Sequence, residues 1–290
     1  MIDLHMHTTY SDGKDSLKEV LTLCEKANLN LISITDHNTV DSYFELETLN
    51  KEDYYSRNIM AGIELNTKAG DIPIELLGYN IDYKKMKELL KQVYIPKSES
   101  NRIEFDRLVD KCKKYGIKLD DNIDDLFDEK EFASSVIRPN IIKYEENRSK
   151  IDDEAWNNGG AFYRKYLSNP SSPLYLSMCD ILPSIDVVAD IIKECGGLVF
   201  VPHIFEYRDN SKKVLDILLK SNRVDGFECY YTTFSKEQHE FIMNLCDEKG
   251  LFKSGGSDFH GSRKPDTFLG VGHGDMSIPD DIAKPWARPI

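Results

Sequence analysis

Five of the seven histidines in this 290-residue chain, His5, His7, His37, His203 and His260, stand beside carboxylates where short apolar runs end. His5 and His7 are two residues apart on a predicted strand, so both side chains point to one face; Asp258 and His260 repeat that spacing near the other end. Such pairs chelate metals. Imidazole nitrogen mixed with carboxylate oxygen suits Zn²⁺, Mn²⁺ or Fe²⁺ better than Ca²⁺. The six cysteines lack the CxxC spacing of a closed structural zinc site, so the expectation is open coordination and, with it, catalysis. A lone histidine at a strand end is more often a hydrogen-bonded structural residue, but five together argue otherwise. His239, in a helical pattern, and His273, in a Gly-rich segment, lack such carboxylate neighbours and are read as structural.

The elements that position these residues follow from periodicity. Residues 1–7 read as a strand running into the turn formers of residues 8–13. Leu17, Val20, Leu21, Cys24 and Ala27 then recur at helical spacing, with Ser16 as N-cap and Glu19 completing a capping box. Residues 29–34 and 58–63 are buried strands ending at Thr35-Asp-His-Asn-Thr39 and at Glu64. Residues 197–201 run likewise into Pro202 and His203, and residues 250–254 into Gly255-Gly-Ser-Asp-Phe-His260. Parallel β/α units gather their strand C-termini on one face, which predicts that these polar ends converge. The pattern occupies residues 1–82 and 180–290. Residues 83–179, with charged amphipathic stretches such as 101–115 and the acidic run 120–131, read as a mainly helical insertion. Residues 279–290 read as an extended tail with Trp286 packing back on the body.

Composition narrows the function classes. With 40% hydrophobic and 30% charged residues the chain is an ordinary globular protein rather than a disordered one. No apolar run approaches the roughly 20 residues that cross a bilayer, and no basic segment precedes an apolar leader. The expectation is a cytoplasmic protein without a membrane partner, its cysteines buried thiols. The 37 basic and 50 acidic side chains give a net charge of −13, which three divalent ions would bring to about −7. That charge favours short substrates and argues against duplex DNA.

Taken in order, His5-Met-His7, Ser11-Asp-Gly13, Thr35-Asp-His-Asn-Thr39, Gly62-Ile-Glu64, Val201-Pro-His203 and Gly256-Ser-Asp-Phe-His-Gly261 resemble the motifs of the PHP family, named for polymerase and histidinol phosphatase. The resemblance covers residues 1–82 and 180–275 and implies an α/β fold, a distorted (β/α)7 TIM-like barrel with two or three divalent metal ions (Mn, Fe or Zn, with Mg also compatible) at its strand C-termini. It implies a first metal on His5, His7, Asp258 and a bridging Glu64, and a third on Asp12, His37 and His260. The second would share Glu64 and use His203. Its remaining ligand is usually a histidine, and Glu75 occupies the matching position. A carboxylate there is a harder donor that favours Mn²⁺, Fe²⁺ or Mg²⁺, unless Glu75 faces solvent and that site is weak. Asp36 either orients a ligand from behind or caps its own turn.

In the insertion, Ser135-Val-Ile-Arg-Pro-Asn140 resembles an Arg-Pro-His stretch of the nucleotide- and oligonucleotide-cleaving branch, with Asn140 in place of the histidine. Arg138 is the expected phosphate contact, since a guanidinium can clamp a phosphate through two bonds; a surface arginine before a helix-starting proline is the plainer reading. Arg164, Lys165 and Tyr175 are further substrate-binding candidates that helix packing would also explain. The implied activity is metal-dependent hydrolysis of a phosphoester, with Glu64, Asp258 and Arg138 as the catalytic set and a nucleotide or short oligonucleotide as substrate. Histidinol-phosphate phosphatase and a degenerate, non-catalytic binding module are the competing readings. Oligomeric state has no signature in the sequence.

Overall fold

Eight strands and ten helices, with several short 3₁₀ turns between them, make up a computed structural model that describes residues 1–290. Two compact units divide the chain: Met1–Val93 with Leu182–Ile290, and Tyr94–Ile181. The first unit opens with β1 (Ile2–Asp3), α1 (Leu17–Lys26), β2 (Leu31–Ile32), α2 (Asp41–Thr48), β3 (Asn58–Ile59), β4 (Gly62–Ala69), β5 (Ile72–Tyr79) and α3 (Tyr83–Val93). The second unit holds α4 (Lys97–Lys114), α5 (Ala133–Ile142), α6 (Asp153–Asn157) and α7 (Gly159–Phe162). The first resumes with α8 (Ile185–Glu194), β6 (Leu198–Val201), α9 (Ser211–Ser221), β7 (Gly226–Tyr231), α10 (Lys236–Lys249) and β8 (Phe252–Gly256). The division falls after Val93 rather than after Asp82 because α3 buries Met86 and Leu90 and packs on α8.

Local chemistry sets the elements. At the start of α1 the expected capping box forms: Glu19 Oε2 accepts the Ser16 N–H at 2.7 Å and the Ser16 side chain accepts from Glu19 N. Leu17, Val20, Leu21 and Cys24 are its buried stripe. Strands β1, β2 and β3 form a parallel three-stranded sheet, and β4 to β8 form a five-stranded one in sequence order.

The expected α/β class is therefore present, but the sheets are not closed into a barrel and the parallel run is broken. Strand β4 does not stop at Glu64. It continues to Ala69, turns at Gly70, whose φ of 63° suits glycine, and returns as antiparallel β5, which pairs antiparallel with β6. Only β6, β7 and β8 keep the parallel order of β/α units in this sheet. Between the two sheets, β1 meets β8 through the bond from Leu4 N to Gly255 O at 3.1 Å and the isolated bridge from Met6 to Phe259.

Under this face Ile2, Leu4, Met60, Leu77, Tyr79 and Phe200 are buried with Trp286 from the C-terminal segment, whose indole N–H donates to Lys253 O and Ile282 O. The second unit has its own core of Phe105, Leu108, Ile137, Ile141, Phe162 and Leu174. There Asn140 is structural: its Oδ1 accepts Asp120 N and its Nδ2 donates to Asp120 Oδ2 at 2.7 Å. All six cysteines are buried and none forms a disulfide. No helix is long and apolar enough to cross a membrane.

Candidate metal centre

The strand ends deliver the side chains that the spacing singled out. His5 and His7 follow β1 and are fully buried, and Asp258 and His260 follow β8. Gly256 makes this neighbourhood possible, because a Cβ on it would stand 2.2 Å from His5 Cβ. Asp258 (φ 56°) and His203 (φ 29°) adopt the left-handed backbone that non-glycine residues rarely use, a strain of order 1–3 kcal/mol that tends to mark functional positions. Glu64 lies inside β4. The hairpin sets Asn66 opposite Glu75, so Glu75 shares the face of Glu64 and its carboxylate comes to 3.5 Å from His203 Nε2.

Glu64 is the hub. Its Oε2 lies 3.2 Å from both His5 Nε2 and His7 Nε2 and 3.4 Å from His37 Nδ1, while Oε1 lies 3.1 Å from His203 Nε2. Asp258 Oδ1 stands 3.3 Å from His7 Nε2 and from His260 Nδ1. Asp12 Oδ1 faces His260 Nε2 at 3.1 Å and His7 and His37 at 3.8 Å. Four overlapping sets result, each with its ligand atoms within 4.8 Å of one another: His7, Asp12, His37 and His260; His5, His7 and Glu64; His5, His203 and Asp258; His37, Glu64 and Glu75.

The donor set fits metal ions. His7 Nδ1 and Nε2, His37 Nδ1, His203 Nδ1 and Asp12 Oδ1 are buried yet have no hydrogen-bond partner. Buried polar atoms without partners are costly, and here several share one small space lined by nitrogen and carboxylate oxygen.

The electrostatics explain how so many charges stay together. Burial works against the charged form of His5, but Glu64, Glu228 and Asp258 outweigh it and hold its pKa well above the ordinary histidine value. Burial is likewise overcome at His7 by Asp258 and Glu64, and at His203 by Glu64 and Glu75, each rising to about 9. Against burial, His5 and His37 hold Glu64 well below the usual carboxylate range. Lys264 and His5 do the same for Asp258. His37 is the opposite case: burial brings it down to about 4 despite Glu64. Burial and the nearby Glu64 raise Glu75 to about 7.

The Asp36 side chain bonds to none of the ligands, although its carbonyl accepts the Glu64 N–H at 3.4 Å. Buried, the carboxylate accepts from Thr8 N and Ser11 Oγ on one oxygen and from Thr8 Oγ1 on the other, and so holds the loop that carries Asp12. Sequence reasoning missed Glu228 and Tyr231 on β7, which bond His5, the His203 backbone and Asp258. Their one signal was a carboxylate inside an apolar strand, Gly226-Phe-Glu-Cys-Tyr-Tyr231. It also missed Lys264, whose ammonium is 2.5 Å from Asp258 Oδ2, and Arg263, 3.6 Å from Asp12 Oδ2. His239 on α10 donates from Nδ1 to Cys229 O at 2.9 Å, away from these sets, and His273 is exposed.

The candidates of the insertion lie in the second unit, among its own residues. The Arg138 guanidinium donates to Ala155 O and Trp156 O at the end of α6. Arg164 is exposed in a single wide helical turn, Lys165 pairs with Asp152 and Glu154, and Tyr175 is half-buried.

A family model described as the PHP domain matches residues 3–120. A 5′-3′ exoribonuclease of Haemophilus influenzae is 28% identical over 291 residues, covering 99% of this chain and 98% of that protein. A 3′,5′-nucleoside bisphosphate phosphatase of Chromobacterium violaceum is 25% identical, covering 100% of this chain and 94% of that protein. Among solved structures, one from Bifidobacterium adolescentis, described as a proposed metal-dependent phosphoesterase, superposes with a TM-score of 0.69 at 20% identity; it covers 98% of this chain and 94% of its own. The segment that matches this domain model contains His5, His7, Asp12, His37, Glu64 and Glu75 of the cluster, while His203, Asp258 and His260 lie beyond it.

Proposed function

We propose that the protein is a metal-dependent phosphoesterase that hydrolyses a phosphate ester of a nucleotide or short oligonucleotide, with water as the nucleophile. The observation that carries this reading is the convergence of four overlapping ligand sets, two of which include Glu64, with five of their buried nitrogen and oxygen atoms lacking a hydrogen bond. Its relatives named as an exoribonuclease and a nucleoside bisphosphate phosphatase support the substrate class.

Two or three divalent ions would be held by His5, His7, Glu64 and Asp258, by Asp12, His37 and His260, and by Glu64, Glu75 and His203. When bound, such ions acidify water and offset the negative charge that gathers on phosphoryl oxygens. The protein's own part is positioning. Glu64 and Asp258 keep their carboxylates ionised and aimed at the histidines, and His37 stays neutral with its ring nitrogen available. Lys264, 40% exposed, brings a cation to the edge of the cluster where an anionic substrate would arrive. Arg138 remains the proposed phosphate contact from the insertion, and Arg164 and Tyr175 are proposed for the same role. We also read the scaffold as a distorted barrel, a reading supported by the contacts that link β1 to β8. Six buried cysteines, none in a disulfide, support a reducing compartment such as the cytoplasm.

The test is phosphate release from 3′,5′-nucleoside bisphosphates, short 5′-phosphorylated RNAs and histidinol phosphate, with Mn²⁺ and with a chelator. Chelator-sensitive turnover of a nucleotide or RNA is expected. Turnover of histidinol phosphate alone would replace the substrate class, and silence across the panel with ions bound would overturn the reading.

A further inference from the structure

Strand β7 supplies none of the proposed metal ligands, yet two of its side chains reach them. Glu228 is fully buried; its Oε1 lies 3.0 Å from His5 Nδ1 and its Oε2 accepts the His203 backbone N–H at 2.9 Å. Tyr231 donates its hydroxyl to Asp258 Oδ2 at 2.8 Å. Three residues apart on a regular strand, these two would face opposite ways. They do not, because β7 carries a bulge. Glu228 pairs with Ser254 and Tyr230 with Gly255, so Cys229 is the extra residue and Tyr231, opposite Gly256, returns to the face of Glu228.

We propose that β7 is the orienting strand of the metal centre, with Glu228 and Tyr231 as its positioning residues. Glu228 accepts from His5 Nδ1–H, which fixes the ring so that Nε2 is the nitrogen aimed at Glu64 and Asp258 and the one an ion would take. Its second oxygen pins the peptide of His203 in the left-handed conformation that points this ring at Glu64 and Glu75, and a charge-assisted bond offsets part of that strain. Tyr231 occupies one oxygen of Asp258. The other, Oδ1, is left to face His5, His7 and His260.

The assignment has a selective consequence. Glu228 contacts His5 and His203 but no member of the set His7, Asp12, His37 and His260, so its loss should weaken some ions and spare another. The inference rests on the metal reading above and goes beyond it by naming what fixes the ligands. A glutamine at 228 offers one acceptor where the carboxylate offers two, so one of the two ligand contacts must fail.

The experiment uses the full chain as parent, Glu228→Gln, Tyr231→Phe and, as a control from the bulge itself, Cys229→Ala. Mn²⁺ per chain is counted by mass spectrometry and Mn²⁺ affinity is measured by titration calorimetry, with circular dichroism reporting folding. Expected are a roughly 10–100-fold weaker affinity in Glu228→Gln for part of the bound Mn²⁺, the remainder keeping parental affinity, a smaller loss in Tyr231→Phe, and parental binding in Cys229→Ala. Parental affinity and stoichiometry in both β7 variants would overturn the assignment, as would an equal weakening of every ion. Should Glu228→Gln fail to fold, Tyr231→Phe, which removes a single hydroxyl, carries the same test. A parent chain that takes up no Mn²⁺ would overturn the metal reading itself, which keeps the two failures distinct.

Discussion

His7 illustrates how the centre works at the scale of one residue. Fully buried, with Nε2 3.2 Å from Glu64 and 3.3 Å from Asp258, it is raised to about 9 by those carboxylates, and His203 reaches about 9 by the same kind of contact. At pH 7 both are therefore protonated in the chain without metal, and an ion must displace those protons to bind. Mn²⁺ affinity should accordingly rise from pH 7 to pH 9. Binding at pH 7 should release protons, measured as a calorimetric enthalpy that varies with the ionisation heat of the buffer. Replacing His7 or Asp258 by Ala should remove most bound metal and lower phosphoesterase activity by 100-fold or more, read by metal analysis beside a rate assay. These residues were legible in the sequence because each sits in a short motif with a carboxylate or histidine at fixed spacing. Glu228 was not. It stands in an apolar strand with no partner nearby in sequence, and its two contacts, His5 and the His203 peptide, are 223 and 25 residues away.

At the scale of elements, the Ser16 cap was readable from Ser and Glu three positions apart, since a capping box depends only on local backbone. Ser16→Ala should lower stability by about 1 kcal/mol, seen as a lower thermal midpoint with metal content unchanged. The hairpin was harder to see. An apolar run ending at Glu64 looks like the end of a buried parallel strand, and only the pairing of Asn66 with Glu75 across the Gly70 turn reveals that the strand continues. That continuation carries Glu75 to the cluster. Nor could spacing reveal the bulge in β7, because it depends on how β7 meets β8 rather than on the residues of either alone.

For the whole molecule, the second unit has its own polar keystone. Lys143 first, then Tyr144 and Asn140, hold Asp120 down to about 2 from an ordinary 3.8. A folded-state pKa below the unfolded one adds stability above about pH 4, and that contribution disappears as the pH falls through 2. The thermal midpoint of Asp120→Asn should thus lie below that of the parent at pH 6, and the gap should narrow on acidification, as followed by circular dichroism. The charge of −13 acts at longer range. It repels polyanions over a Debye length of about 8 Å at physiological salt, so KM for longer 5′-phosphorylated RNAs should fall toward that for short ones as salt rises from 20 to about 150 mM. A parallel series of RNA lengths assayed at each ionic strength measures this.

The meeting of β1 with β8 also bears on synthesis. His5 leaves the ribosome long before Asp258 and His260, yet the bond from Leu4 to Gly255 and the bridge from Met6 to Phe259 bring them side by side. A nascent chain that stops short of β8 therefore lacks two of the proposed ligands and one wall of the cluster. Until β8 has been made and has met β1, the proposed centre stays incomplete.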